Sequence, residues 1–236
     1  MNKSISVFFP LRSGSTRVIK KNTRPFHPDG RSLFQLKLDQ IASIRDQFHE
    51  VVVSTNDIDV IDQFPSYLLE SNVRIERRPD SLCQSNTKVQ DLIDYVPTVT
   101  SGEWVFWLHA TSPFVDESDF IAALSVLQKE VINGERDSVM SVNRIQQFIW
   151  SEREKDIINC DRSINPWPNT QDLDSLYEMN HAFYINSRLN FLNLRDRIGK
   201  RPALYVCEGL RKIDIDWQND FDIAQALIRQ QVSPNA

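Results

Sequence analysis

The chain has 236 residues, of which 41% are hydrophobic and 25% charged, the make-up of one folded domain of ordinary size. A formal net charge of −5 argues against a protein that coats nucleic acid or an anionic membrane. No two of its six glycines are spaced as G-x-G, and Arg201 follows Gly199-Lys200, so the dinucleotide fingerprint and the P-loop are both excluded.

In chain order, residues 5–9 form the first expected strand and run into the polar loop 10–17, with Lys20, Lys21 and Asn22 just beyond. Leu33, Leu36, Leu38, Ile41 and Ile44 make a helical stripe. Residues 51–53 and 73–75 read as strands. So do residues 104–108, the longest apolar stretch and far too short to span a membrane. Phe120, Ala123, Leu124 and Leu127 predict a helix after the acidic start 116–119, and 138–142 predicts another strand.

Residues 143–176 break the pattern. They are polar and carry Pro166, Pro168, Trp150 and Trp167, too much chain for a simple connection. We expect an excursion that covers the active site, reaches a partner subunit, or both, and its aromatics favour a homodimer contact. Regular structure resumes at 182–185, 203–206 and 212–216, and a terminal helix is expected over about 219–230. Strands alternating with helices predict one α/β domain over residues 1–236, with a Rossmann-like, mostly parallel sheet and helices on both faces. Cys83, Cys160 and Cys207 form neither a disulfide framework nor a zinc pattern. With no signal-peptide pattern in MNKSISVFFP, the expected compartment is the cytoplasm.

Three segments could carry chemistry. The loop after the first strand offers Arg12, Arg17, Lys20 and Lys21 with hydroxyls and Gly14, at the sheet edge where ligands bind. Converging cations and backbone N–H groups there suit a polyphosphate. Asp214-Ile215-Asp216, read as part of a strand, would turn both carboxylates to one face, a donor pair suited to Mg²⁺ shared with substrate phosphates. The competing reading is that Asp216 caps the terminal helix. For Asp57/Asp59, a helix start, capping alone suffices, and Asp172/Asp174 has no strand beneath it. The third segment, His109-Ala-Thr111-Ser112-Pro113, either binds a ligand or caps. The histidines share no metal spacing, and there is neither H-E-x-x-H nor G-x-S-x-G.

Taken in order, these segments resemble the acylneuraminate cytidylyltransferase family. Arg12-Ser-Gly-Ser-Thr-Arg17 with Lys21-Asn22 is similar to the family's A-R-x-G-S-K-R-x-x-x-K-N loop. Val51-Val-Val-Ser-Thr55 with Asp57 resembles its second strand and S-T-D turn; Arg78-Pro79 with Leu82 resembles R-P-x-x-L. Leu108 with Thr111-Ser112-Pro113 resembles L-Q-P-T-S-P, Asn180 with Ala182-Phe-Tyr-Ile185 resembles N-G-A-x-Y-I, and Ile213-Asp-Ile-Asp216 resembles the metal-binding D-I-D.

The resemblance implies a nucleotide-diphospho-sugar transferase type of fold and transfer of CMP from CTP to the anomeric hydroxyl of an acidic sugar, with release of pyrophosphate. It assigns Leu11, Arg12, Ser13, Ser15, Arg17, Lys21, Asn22 and Arg78 to the nucleotide, and Arg12, Lys21 and Asp216 to catalysis. It assigns Asp214 and Asp216 to Mg²⁺, and His109, Thr111, Ser112, Asn180 and His181 to the acceptor.

Four departures bear on this expectation. Thr16 stands where many members have lysine, His109-Ala110 replaces Gln-Pro, and His181 replaces glycine. Glu178 or Met179 stands where sialic acid enzymes carry an arginine, so N-acetylneuraminic acid is expected to be a poor acceptor unless Arg144 or Arg162 takes that role. The competing readings are a cytidylyltransferase for a non-sugar acid such as a phosphonate, and a catalytically silent relative. The paired Asp214 and Asp216 favour catalysis.

Overall fold

A computed structural model describes residues 4–69 and 71–232. It contains strands β1 (Ile5–Leu11), β2 (Glu50–Thr55), β3 (Val73–Arg77), β4 (Trp104–Leu108), β5 (Ser138–Ile145), β6 (Trp150–Ser151), β7 (Asp156–Ile157), β8 (Leu176–Ser187) and β9 (Pro202–Cys207). The helices are α1 (Leu33–Ser43), α2 (Ile58–Asp62), α3 (Val89–Val99), α4 (Glu117–Val126), α5 (Arg188–Asn193) and α6 (Gln218–Val232). Seven strands form one sheet in the order β3-β2-β1-β4-β8-β5-β9. All neighbours run parallel except β8, which is antiparallel to both β4 and β5.

Side-chain alternation divides the core between the two faces of the sheet. Val7, Phe9 and Leu11 of β1 join the larger cluster with residues of α1, α4 and α6. Phe8 joins Trp107 and Tyr184 in a smaller one with Ile93 and Val96 of α3 and Phe191 of α5. At the centre, fully buried Phe106 meets Phe48, Phe120 and Phe183 edge-on. Burying one such ring contributes roughly 2–3 kcal/mol. Helices therefore cover both faces of a mostly parallel sheet, as the alternating pattern implies.

Local signals set the helix starts. Ser32 with Gln35, and Asp116 with Asp119, form reciprocal capping boxes for α1 and α4. Asp57 caps α2 by accepting from the Asp59 N–H, in keeping with the capping reading of that pair. Beneath the turn that follows β4, the buried Lys37 ammonium donates to the Ser112 carbonyl at 2.9 Å and also to the Val115 carbonyl. It lies 5.2 Å from the Phe120 ring centroid.

Three boundaries differ from the sequence reading. The strand expected at 138–142 runs on to Ile145, and the one expected at 182–185 begins at Leu176, with a bulge where Met140 and Val142 face it. Residues 143–176 are ordered by pairing and by buried anchors. They include the β6–β7 hairpin, and the Asn159 amide bonds the backbone of Gln147, Ile149 and Asp174. Residues 212–216 form no strand. A 3-10 turn at Gly209–Lys212 redirects the chain, and the following segment is tied to the turn after β4 by a bond from the Ile215 N–H to the Thr111 carbonyl, 2.8 Å long.

Candidate active site

The connections leaving β1 and β4 diverge where the strand order reverses, the switch point at which open α/β sheets bind ligands. A cavity of about 270 Å³ lies there. Leu11, Arg12, Ser15, Arg17, Lys21 and Asn22 line it from the first loop, and Arg78, His109 and Thr111 from the loops beside it. Val89 and Leu92 of α3 add an apolar wall.

The first loop is shaped by its backbone. Gly14 has φ +75°, a left-handed conformation that favours glycine. Arg78, almost fully buried, donates from Nη2 to the Leu11 carbonyl at 2.5 Å and from Nε to Cys83 Sγ at 3.1 Å, tying the end of β1 to the β3 side. Arg12 Nη1 donates to the Cys83 carbonyl at 3.3 Å. Lys21 Nζ donates to the Ile215 carbonyl at 2.7 Å. Burial pulls the Lys21 pKa down, against the opposing pull of Asp216 and Asp214.

The 214–216 segment brings its two carboxylates beside this cavity, outside its lining but next to Arg17 and Lys21, by another route than a strand. Ile215 is fully buried in the core, with an aspartate on either side of it. Asp216 pairs with Arg17 at 2.9 Å. Asp214 Oδ1 is buried and has no hydrogen-bond partner among the described residues. Burial raises the Asp214 pKa and the Asp216 charge adds to it, while Thr111 and Lys21 act in the other direction.

The helix-capping alternative is answered by Asp220, whose Oδ2 accepts from the backbone N–H groups of Asp216 and Trp217 at 3.0 and 2.7 Å. Two carboxylates with an unpartnered buried oxygen fit a hard cation such as Mg²⁺. No group of three or more His, Cys, Asp or Glu side chains among the described residues would hold a metal alone, so substrate oxygens would complete its shell.

Several expected site residues stand elsewhere. Ser13 bonds Asn56 and lines an adjoining recess with Gly14 and Lys20. Ser112 is buried outside the cavity lining, because its turn is drawn down onto Lys37. The Asn180 amide is engaged structurally, donating to Asn143 Oδ1 at 3.1 Å and accepting from the Ala182 N–H. His181 stands behind the cavity, its Nδ1 2.6 Å from the Tyr184 hydroxyl. Neither Glu178 nor Met179 lines the cavity. Arg144 bonds Ser175 and Arg162 pairs with Asp156, both outside the lining as well.

Burial and nearby Arg197 push the His109 pKa down to about 3, so the imidazole is neutral at pH 7.

Among the lining residues that were not anticipated are Trp107 and Arg197. Strand parity could have found Trp107, which lies two residues before His109 and stacks on it with ring centroids 6.0 Å apart. No local signal marks Arg197 within the stretch 188–201, which holds three other arginines.

Comparison with known structures agrees with this architecture. A CMP:2-keto-3-deoxy-manno-octonic acid synthetase solved in complex with CTP matches with a TM-score of 0.64 at 16% identity, over 97% of this chain and 99% of that one. A 4-diphosphocytidyl-2C-methyl-D-erythritol synthase from Anaerococcus prevotii also gives 0.64, at 14% identity, covering 97% and 100%. A 2-C-methyl-D-erythritol 4-phosphate cytidylyltransferase from Thermus thermophilus gives 0.56 at 16% identity, covering 94% and 98%. These likenesses fix the fold as that of the α/β nucleotidyltransferases. The cytidylyltransferase family model matches residues 7–233. The resemblance to the acylneuraminate branch is thus borne out at the broader level: the chain belongs to the cytidylyltransferase family and is a CTP-dependent nucleotidyltransferase.

Proposed function

We propose that the protein transfers CMP from CTP to the anomeric hydroxyl of an ulosonic or other acidic sugar. The attacking oxygen forms a bond to the α-phosphorus, the bond from that phosphorus to the β-phosphate oxygen breaks, and pyrophosphate leaves. Positioning and charge neutralisation dominate such transfers. Arg12, Arg17 and Lys21 converge on the cavity and would meet the triphosphate, while Leu11, Ser15, Asn22 and Arg78 would frame the nucleotide. Asp214 and Asp216 would hold Mg²⁺, which supplies charge neutralisation at the phosphates when bound.

The observation that carries this reading is a cation-lined crevice with a carboxylate pair beside it, joined to it through the Arg17–Asp216 ion pair, one oxygen of the pair being buried and unpartnered. CTP with Mg²⁺ should raise the melting temperature more than ATP, GTP or UTP do, since a ligand bound by the folded state alone stabilises it. Equal shifts with all four nucleotides would overturn the reading.

The second reading is a non-sugar acidic acceptor, such as a phosphonate. The equally strong likeness to the methylerythritol enzyme supports it. Pyrophosphate release with acidic sugars against such acids decides between the two. We also propose that residues 143–176 form a homodimer contact, supported by the exposure of Trp150, Trp167, Ile158 and Ile164.

A further inference from the structure

We infer that Arg197 receives the carboxylate of the acceptor, held for that task by Tyr184, Trp107 and His181. The inference rests on the acceptor reading above and names the group that recognises it. Arg197 lies between α5 and β9, outside every motif discussed so far, yet it lines the same cavity as Arg12 and Lys21.

Its Cζ is 4.3 Å from the Tyr184 ring centroid and 5.4 Å from that of Trp107. Packing of this kind holds the guanidinium through its faces and leaves its N–H edge for a planar anion. Arg197 pairs with no carboxylate among the described residues, whereas nearby Arg195 pairs with Asp94. Arg197 Nη2 lies 3.5 Å from His181 Nδ1.

His181 provides an independent sign. Its φ is +58°, a conformation that is strained for a residue with a Cβ. Strain of this kind persists where the surrounding structure enforces it, and it clusters at sites of function. Here the Tyr184 hydroxyl holds the imidazole against Arg197. Nearby, Trp107 Nε1 and His109 Nε2 are buried without hydrogen-bond partners among the described residues. Buried polar atoms are rarely left so, and both belong to residues of the cavity wall.

The charge selects the ligand class. Arg197 is the cation that packs on the Tyr184 and Trp107 rings of this wall, where His109 is neutral and burial lowers the His181 pKa too. Asp214 and Asp216 lie close enough to act on His181. A single guanidinium near two carboxylates suits a monoanionic carboxylate better than a dianionic phosphate ester, and its fork matches carboxylate geometry.

The test is titration of the CTP-loaded protein, without divalent cation so that nothing turns over, followed by tryptophan fluorescence. The probes are 2-keto-3-deoxy-manno-octonic acid, N-acetylneuraminic acid, their C1 amides and 2-C-methylerythritol 4-phosphate. At least one acid should bind the parent about 30-fold or more tightly than its amide. Arg197→Met should lose that acid by a similar factor, leaving amide binding and the CTP thermal shift in place. Arg197→Lys, which keeps the charge without the fork, should fall between.

Equal binding of acid and amide by the parent, unchanged acid binding by Arg197→Met, or preference for the phosphate ester would each overturn the inference. So would failure of both acids to bind. The CTP-selective thermal shift reports separately on whether the nucleotide reading stands.

Discussion

The guanidinium of Arg17 lies 2.9 Å from Oδ1 of Asp216, and both side chains are about half exposed. A pair this exposed contributes on the order of 0–1 kcal/mol, so little opposes an exchange of partners. In the nucleotide complex, Arg17 would turn to phosphate and Asp216 to a cation.

Asp216→Asn should therefore lower kcat by about 100-fold or more. The fold should be unaffected, because Asp220 and not Asp216 accepts the N–H groups at the start of α6. Pyrophosphate release and a melting curve on the same preparation check both halves. Near-parental turnover would remove Asp216 from the reaction.

Asp220→Ala should show the opposite profile. It leaves two N–H groups at a helix start without their carboxylate, which costs about 1–2 kcal/mol. The urea midpoint should drop accordingly, and kcat should fall less than in Asp216→Asn. A larger loss of turnover than of stability would mean that Asp220 itself reaches the substrate.

Lys37 makes stability depend on pH. Burial pushes its pKa down to about 7, against the raising effects of Asp116, Asp119 and Glu117. Between that value and the ordinary lysine range, the unfolded chain holds a proton that the folded chain has released. Stability should therefore climb as pH rises above 7. From pH 7 to 9 the parent should gain up to about 2 kcal/mol relative to Lys37→Met. The variant itself should be weaker by roughly 2–4 kcal/mol at pH 7, having orphaned the Ser112 and Val115 carbonyls. Parallel stability–pH curves for the two proteins would show that Lys37 stays charged in the fold.

Light scattering at micromolar concentration should report twice the chain mass of 27.4 kDa. Trp167→Glu, at a position 69% exposed, should shift the particle toward the single-chain mass without unfolding it. A single-chain mass for the parent would rule out the proposed contact.

The sheet was largely legible because its strands are continuous apolar runs, as burial on both faces demands; Val51, Val52 and Val53 are all fully buried. The first-loop side of the cavity was legible for a related reason. A loop that follows β1 must emerge at the carboxyl edge, so Arg12, Arg17 and Lys21 were placed by topology. The side of the cavity formed by Arg197 was not legible. Arg197 arrives from a connection distant in sequence, and nothing local separates it from the arginines around it. Asn180 and Ser112 fall outside the cavity lining because polar residues near a site also serve the backbone, as the bond from the Ala182 N–H to the Asn180 amide oxygen shows. Ile213 to Asp216 mimicked a strand because alternation requires only one buried side chain between two polar ones, with or without a neighbouring strand.

The reversed strand β8 has a consequence for the order of synthesis. It stands between β4 and β5 yet is translated after both. A nascent chain that has emerged through Ile145 therefore carries Trp104–Leu108 with the main-chain groups of one edge open, and those groups wait for Leu176–Ser187. Open apolar edges are sites of intermolecular pairing. The stretch from Gln146 to Ser175 thus sets how long a ribosome-bound chain remains prone to aggregation, and an interruption of translation within it would leave a product that is insoluble as well as inactive.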